Sequence, residues 1–172
     1  MLNSFKALSD IQGQYVPRLH AHWYLKIHGD EDEMLQQPSL LFEDVAGFNL
    51  VDLFDSAPES AWCDIGDKVL EVVNLISDRG SLNMWYTLNS FTIRTMTAED
   101  GTVAYMPVMT DVNSCRIQRQ DETDEQWRCT KRYVDEEGQV GLQLATMFKD
   151  AGHEYCYKPS FRYNRSLSTL LK

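Results

Sequence analysis

The sequence predicts an α+β fold in a single domain spanning residues 1–172. Three observations lead there. Apolar residues recur every three or four positions from Trp62 to Ile76, the signature of one long amphipathic helix. Two β-rich runs, Phe91–Met96 and Val103–Met109, flank the turn residues Ala98-Glu-Asp-Gly101, which reads as a hairpin. The chain contains neither internal repeats nor a low-complexity linker that would divide it.

Taken in order, Leu2–Ile11 reads as a short helix with Phe5, Leu8 and Ile11 on one side, broken by Gly13. Tyr15–Ile27 is rich in β-formers and alternates around Leu19, Ala21, Trp23 and Leu25, giving a strand or two. A polar loop from His28 to Pro38 leads to a short apolar strand, Leu40–Glu43, and then a connector, Asp44–Asn49, that contains Gly47. Ser56-Ala-Pro-Glu59 has the spacing of a capping box, so the long helix is expected to open there, with Trp62, Ile65, Val69, Val72 and Ile76 as its buried face. Arg79 and Gly80 supply its C-terminal charge and left-handed cap. After the hairpin comes an acidic segment and then a second helix over Glu136–Lys149, with Val140, Leu144, Met147 and Phe148 inward and Gly152 as its stop. Tyr155, Tyr157, Phe161 and Tyr163 in the tail are expected to pack down.

Sixteen basic against 26 acidic residues give a net charge of −10 and a pI near 4.7. Such a surface repels phosphate backbones and anionic lipid, which argues against nucleic-acid and membrane-surface partners. The acid is clumped at 30–33, 121–125 and 135–137, the pattern of solvated loops and helix N-termini. Cys63, Cys115, Cys129 and Cys156 form no C-x-x-C pair, so neither a zinc knuckle nor a redox motif is indicated. The N-terminal residues lack a secretory pattern, and no apolar run approaches the roughly 18 residues of a membrane span. The expected compartment is the cytoplasm or nucleus, with the thiols reduced.

The order of elements resembles part of a protein kinase. There, the last small-lobe strand passes through a hinge into a long helix, the catalytic loop H-R-D-x-x-x-x-N, and a hairpin delivering D-F-G. Ser39-Leu-Leu-Phe-Glu43 looks like that strand, Asp44-Val-Ala-Gly47 like the hinge, and Met109-Thr-Asp-Val-Asn113 stands where D-F-G should lie. Ile11-Gln-Gly-Gln-Tyr-Val-Pro-Arg18 resembles the "LQG-x-x-VP" stretch of short fungal kinase-like proteins. Val73-Asn-Leu-Ile76 with Asp78-Arg-Gly80, Trp127, and Glu136-Glu-Gly-Gln-Val-Gly141 are similar to that group too. The resemblance implies a partial kinase-like fold: the end of the small lobe, the hinge, the long helix and the catalytic-loop hairpin.

Carried over residue by residue, it also implies that the catalyst is gone. Asn83 stands at the catalytic-loop His position and Trp85 at that of the Asp which accepts the substrate proton. Ser90 replaces the metal-binding Asn. Asp111 matches the metal-binding Asp, while Val112 and Asn113 depart from Phe and Gly. The chain begins after the positions of a Gly-rich loop and strand Lys, and too little follows the second helix to complete a large lobe. An indole cannot act as a base at neutral pH, so a catalytically inactive pseudokinase is expected, without cofactor or resident metal.

Two functional expectations follow. One is a module that works by binding a protein partner or by self-association. The other is an enzyme of a fungal biosynthetic pathway that reuses the cleft for acid–base chemistry, such as a cyclisation, isomerisation or dehydration, on an apolar small molecule. Asp111, His20, His22, Glu43 and Tyr86 are the candidate acids and bases, and Trp85 with Tyr86 would line the pocket. His20 and His22 alternate on a strand, a spacing that would suit zinc if His28 or Glu43 joined them. Asp111 could hold a divalent cation with Asp44 or Glu43, although a lone carboxylate is more often structural, capping a turn or pairing with an Arg. Cys115 beside Arg116 is either a thiol of lowered pKa or a buried inert one.

Overall fold

The computed structural model describes residues 2–28, 34–160 and 162. The expected third histidine, His28, has only its backbone described, and the acidic run 30–33, Phe161 and Tyr163 lie outside the described residues.

Helix α1 (Leu2–Ala7) buries Phe5, and a turn over Ser9–Ile11 buries Ile11. Gly13, at φ 79°, turns the chain into strand β1 (Leu19–His28). Gln12 clamps this turn: its amide donates to the Phe5 carbonyl at 2.8 Å and its carbonyl accepts from Leu19 N at 3.0 Å. Strand β2 (Met34–Phe42) pairs antiparallel with β1. The register slips between Leu19 and Ala21, placing a bulge at His20, so the simple alternation expected of His20 and His22 does not hold.

The connector passes close over Ile93: a Cβ on Gly47 would sit 2.2 Å from the Ile93 carbonyl oxygen, so only glycine fits. Strand β3 (Phe48–Asn49), a turn at Leu50–Asp52 and the short helix α2 (Leu53–Ser56) follow. The expected capping box is not formed. Ser56 ends α2, and the long helix α3 (Glu59–Ser77) starts after Pro58, without a side-chain cap. A proline at this point fixes φ and has no N–H to satisfy, so the helix starts without help from a hydroxyl.

Helix α3 buries Ile65, Val69, Val72, Val73 and Ile76, the face that its periodicity marks out. Trp62 is half-buried and donates its indole N–H to the Ala57 carbonyl at 2.8 Å. Gly80 takes φ 69°, and Arg79 donates to the Leu75 carbonyl at 2.8 Å and pairs with Asp10 at 2.6 Å. Strands β4 (Ser81–Asn83), β5 (Phe91–Thr97), β6 (Val103–Met109) and β7 (Cys115–Ile117) come next. The order β3–β5–β6 makes one antiparallel sheet, and β4–β7 makes a second, small one.

The acidic segment contains a helix that the periodicity did not show, α4 (Asp124–Val134). Its N-terminus is a reciprocal capping box between Thr123 and Gln126. Asp135, in the left-handed region at φ 48°, ends α4 and begins α5 (Glu136–Asp150), its carboxylate accepting from Gly138 N. The main core gathers Phe5, Leu8 and Val16 with the α3 face, Phe91, Ile93, Met109, and Val140, Leu144 and Phe148 of α5. Leu82, Trp127 and Val134 form a smaller one beneath β4. Among the described residues, no helix is long and apolar enough to cross a membrane.

Candidate functional site

The stretch from Ser81 to Ser90 connects the end of α3 to β5. Its fixed points are all inward. Asn83 is buried, and its side-chain oxygen accepts from Trp85 N at 2.8 Å while its amide reaches the Asp111 carbonyl at 3.5 Å. Asn83 therefore closes the loop on itself and ties it to the segment after β6. Ser90 closes a capping box with Thr87 around the turn Leu88–Ser90. Its carbonyl accepts from Thr110 N at 2.8 Å. Tyr86 is 2% exposed and stacks on Phe91 at 5.7 Å. Burial holds its phenol well above its usual pKa, so at neutral pH it is no base.

Trp85 points the other way. It is 75% exposed, with Met84 beside it at 43%. Trp85 and Tyr86 therefore do not line a common pocket: one faces solvent and the other fills the core.

Below the loop lies a buried polar cluster that the sequence did not reveal. Lys131 of α4, 1% exposed, donates to Ser77 Oγ at 2.7 Å, to the Ser81 carbonyl, and to Glu136 Oε2 at 2.5 Å. The other oxygen of Glu136 accepts from Asn83 N at 2.7 Å. Burial lowers the Lys131 pKa and raises that of Glu136, while each charge opposes the other's shift. Arg116 and Lys131 both sit over the Trp127 ring, at 4.7 and 5.2 Å from its centroid. The only sequence signal for this cluster was that Trp127 and Glu136 fall in the words that resemble kinase-like proteins.

The remaining candidates are scattered. Both carboxylate oxygens of Asp111 lie 2.8 Å from the Ser114 hydroxyl, which shares its one proton between them across the turn Val112–Ser114. Glu43 is held by Arg94 at 2.8 Å and by Arg18 N at 3.1 Å. Asp44, His20 and His22 are exposed. None of Asp111, His20, His22, Glu43 or Tyr86 lines the cavity of about 280 Å³ between α3, α4, α5 and the tail, or that of about 290 Å³ between α3 and β6. No group of three or more His, Cys, Asp or Glu among the described residues could hold a metal ion. Cys115 is buried, which pushes its thiol up to about 11, the opposite of activation by Arg116. Arg116 instead pairs with Glu122 at 2.9 Å.

No family model matches the sequence, and no curated protein matches it. Among solved structures, the chain is similar to the Rio2 kinase of Chaetomium thermophilum, solved as an ADP/Mg²⁺-phosphoaspartate complex, with a TM-score of 0.60 at 14% identity. The match covers 96% of this chain and 42% of that one, so the chain spans less than half of that protein's length. At this identity the likeness is one of architecture: the mixed α/β chain shares part of a kinase-like fold.

Proposed function

We propose that this chain is a catalytically inactive kinase-like module that acts by binding a protein partner, and that Trp85 is its anchor. The observation that carries this reading is the 75% exposure of an indole at the position where the resemblance puts the catalytic base. Exposed tryptophans are costly to leave in water and are over-represented among the residues that dominate interfaces. Met84 beside it adds an adaptable apolar contact. The polar groups of the loop support the same reading, since Asn83 and Ser90 spend theirs on holding its shape and have none directed at a substrate. Asp111 accepts the Ser114 hydroxyl proton across its turn. The words around Gln12, Asp78 and Glu136 favour a relationship to truncated fungal pseudokinases. Reuse of the cleft by a biosynthetic enzyme has no comparable support, because the acid–base candidates do not converge.

Affinity capture with the wild type and with Trp85→Ala tests this. The expected result is loss of specifically bound protein at an unchanged melting temperature, since an exposed side chain contributes little to the core. An identical set of captured proteins would contradict the reading.

A further inference from the structure

The cavity of about 290 Å³ between α3 and β6 shares no lining residue with the Trp85 loop. Its walls are Tyr15 and Tyr105, Val72 and Leu75 of α3, and Met96 and Met106 of the β5–β6 hairpin. Two tyrosine rings and two thioethers make an apolar wall that adapts to a flat ring. A dry cavity of roughly 150 Å³ holds benzene, so this one has room for a body of two fused rings.

The polar groups decide what such a body should carry. β6 is the outer strand of the β3–β5–β6 sheet. Ala98 N donates to the Thr102 carbonyl and Thr110 N to that of Ser90, which puts the even-numbered residues of β6 in the ladder with β5. The odd-numbered ones turn their main-chain groups outward. Met109 N donates to the Tyr15 carbonyl at 2.8 Å, and the Tyr105 carbonyl accepts from Lys68 Nζ at 3.4 Å. Pro107, between them, has no N–H, and its outward carbonyl has no partner among the described residues. On α3, Lys68 is spent further, since it pairs with Asp64 at 2.7 Å. Glu71, one turn on, is exposed and has no hydrogen-bond or ion-pair partner among the described residues. Lys68 and Glu71 are the ionised residues that line the cavity, and only Glu71 is left unbalanced.

We infer that this cavity binds a small protonated amine carrying a flat apolar body of about two rings. The ammonium donates to the Glu71 carboxylate and the Pro107 carbonyl, and the rings lie against Leu75, Met96 and Met106. An organic carboxylate is the poorer ligand, because Lys68 is already paired and Glu71 would repel it. The inference stands on different residues from the Trp85 anchor and does not depend on it.

Tryptamine is the probe, with the neutral alcohol tryptophol and the anion indole-3-propionate as matched controls. The readout is the chemical shift of the methionine methyl groups in the full chain. The expected result is a saturable shift of Met96 and Met106 with a Kd of about 1 mM or tighter. Glu71→Gln should weaken it about fivefold, as should tryptophol in place of tryptamine. Trp85→Ala should leave it unchanged. Equal binding of tryptophol, tighter binding of indole-3-propionate, or binding untouched by Glu71→Gln would overturn the proposal. Shifts that do not saturate, that spare Met96 and Met106, or that vanish with Trp85→Ala would overturn it too.

Discussion

Lys131 is 1% exposed and joins three elements at once: the end of α3 through Ser77, β4 through the Ser81 carbonyl, and the start of α5 through Glu136. Removing one member of a buried ion pair leaves the other charge without compensation, at a cost of about 3–5 kcal/mol. Lys131→Met should therefore lower unfolding free energy by about that amount in urea titrations. Adding Glu136→Gln removes the stranded charge yet keeps an acceptor for Asn83 N, so the double variant should recover most of the loss; no recovery would refute the pairing account. The sequence did not show this pair, because a lysine in a charged helix reads as surface until the helix has a place in the fold. The sequence singled out Trp85 only through the resemblance, which puts it where a kinase has its catalytic Asp. Its exposure was not legible, because an indole after Met84 could as well have turned inward.

At the scale of elements, the tail shows how two helices accept a strap. Gly66 of α3 and Gly141 of α5 each lie under a tyrosine ring, Tyr155 and Tyr157 respectively. A Cβ on Gly141 would fall 2.4 Å from the Tyr157 ring. Gly141→Ala should displace this part of the tail and speed tryptic cleavage after Arg162. Global stability should change little, since alanine gains about 1 kcal/mol of helix propensity in return. Gly141→Ala with Tyr157→Ala should be more stable than Gly141→Ala alone, and cleavage unchanged by the single substitution would contradict the fit. The elements legible in the sequence were those with clean periods: α3, α5 and the β5–β6 hairpin. Helix α4 escaped because its apolar residues, Trp127 and Val134, are few and its core is a small separate one. The start of α3 was misplaced because Ser56-x-x-Glu59 satisfies a spacing rule while Pro58 sets the boundary. The bulge at His20 broke an alternation that single-residue patterning assumes.

Over the whole molecule, the sequence carried enough order to suggest a partial kinase-like fold, and the architecture bears this out at the level of fold. The candidate site was legible only in outline. Asn83, Asp111 and Ser90 come together through the loop and its hydrogen bonds to the segment after β6, whereas His20, His22 and Glu43 belong to other surroundings. Phosphoryl transfer depends on positioned charge and metal, and here the loop's polar groups are committed to one another. The measurement that tests this most directly is a thermal-shift titration with ATP, with and without Mg²⁺ or Mn²⁺. A nucleotide bound at a hundred times its Kd would stabilise the native state by about 2.7 kcal/mol, a readily measured shift. The account predicts no metal-dependent nucleotide shift. A saturable, metal-dependent rise in melting temperature that Asp111→Asn abolishes would restore a working nucleotide site and contradict it.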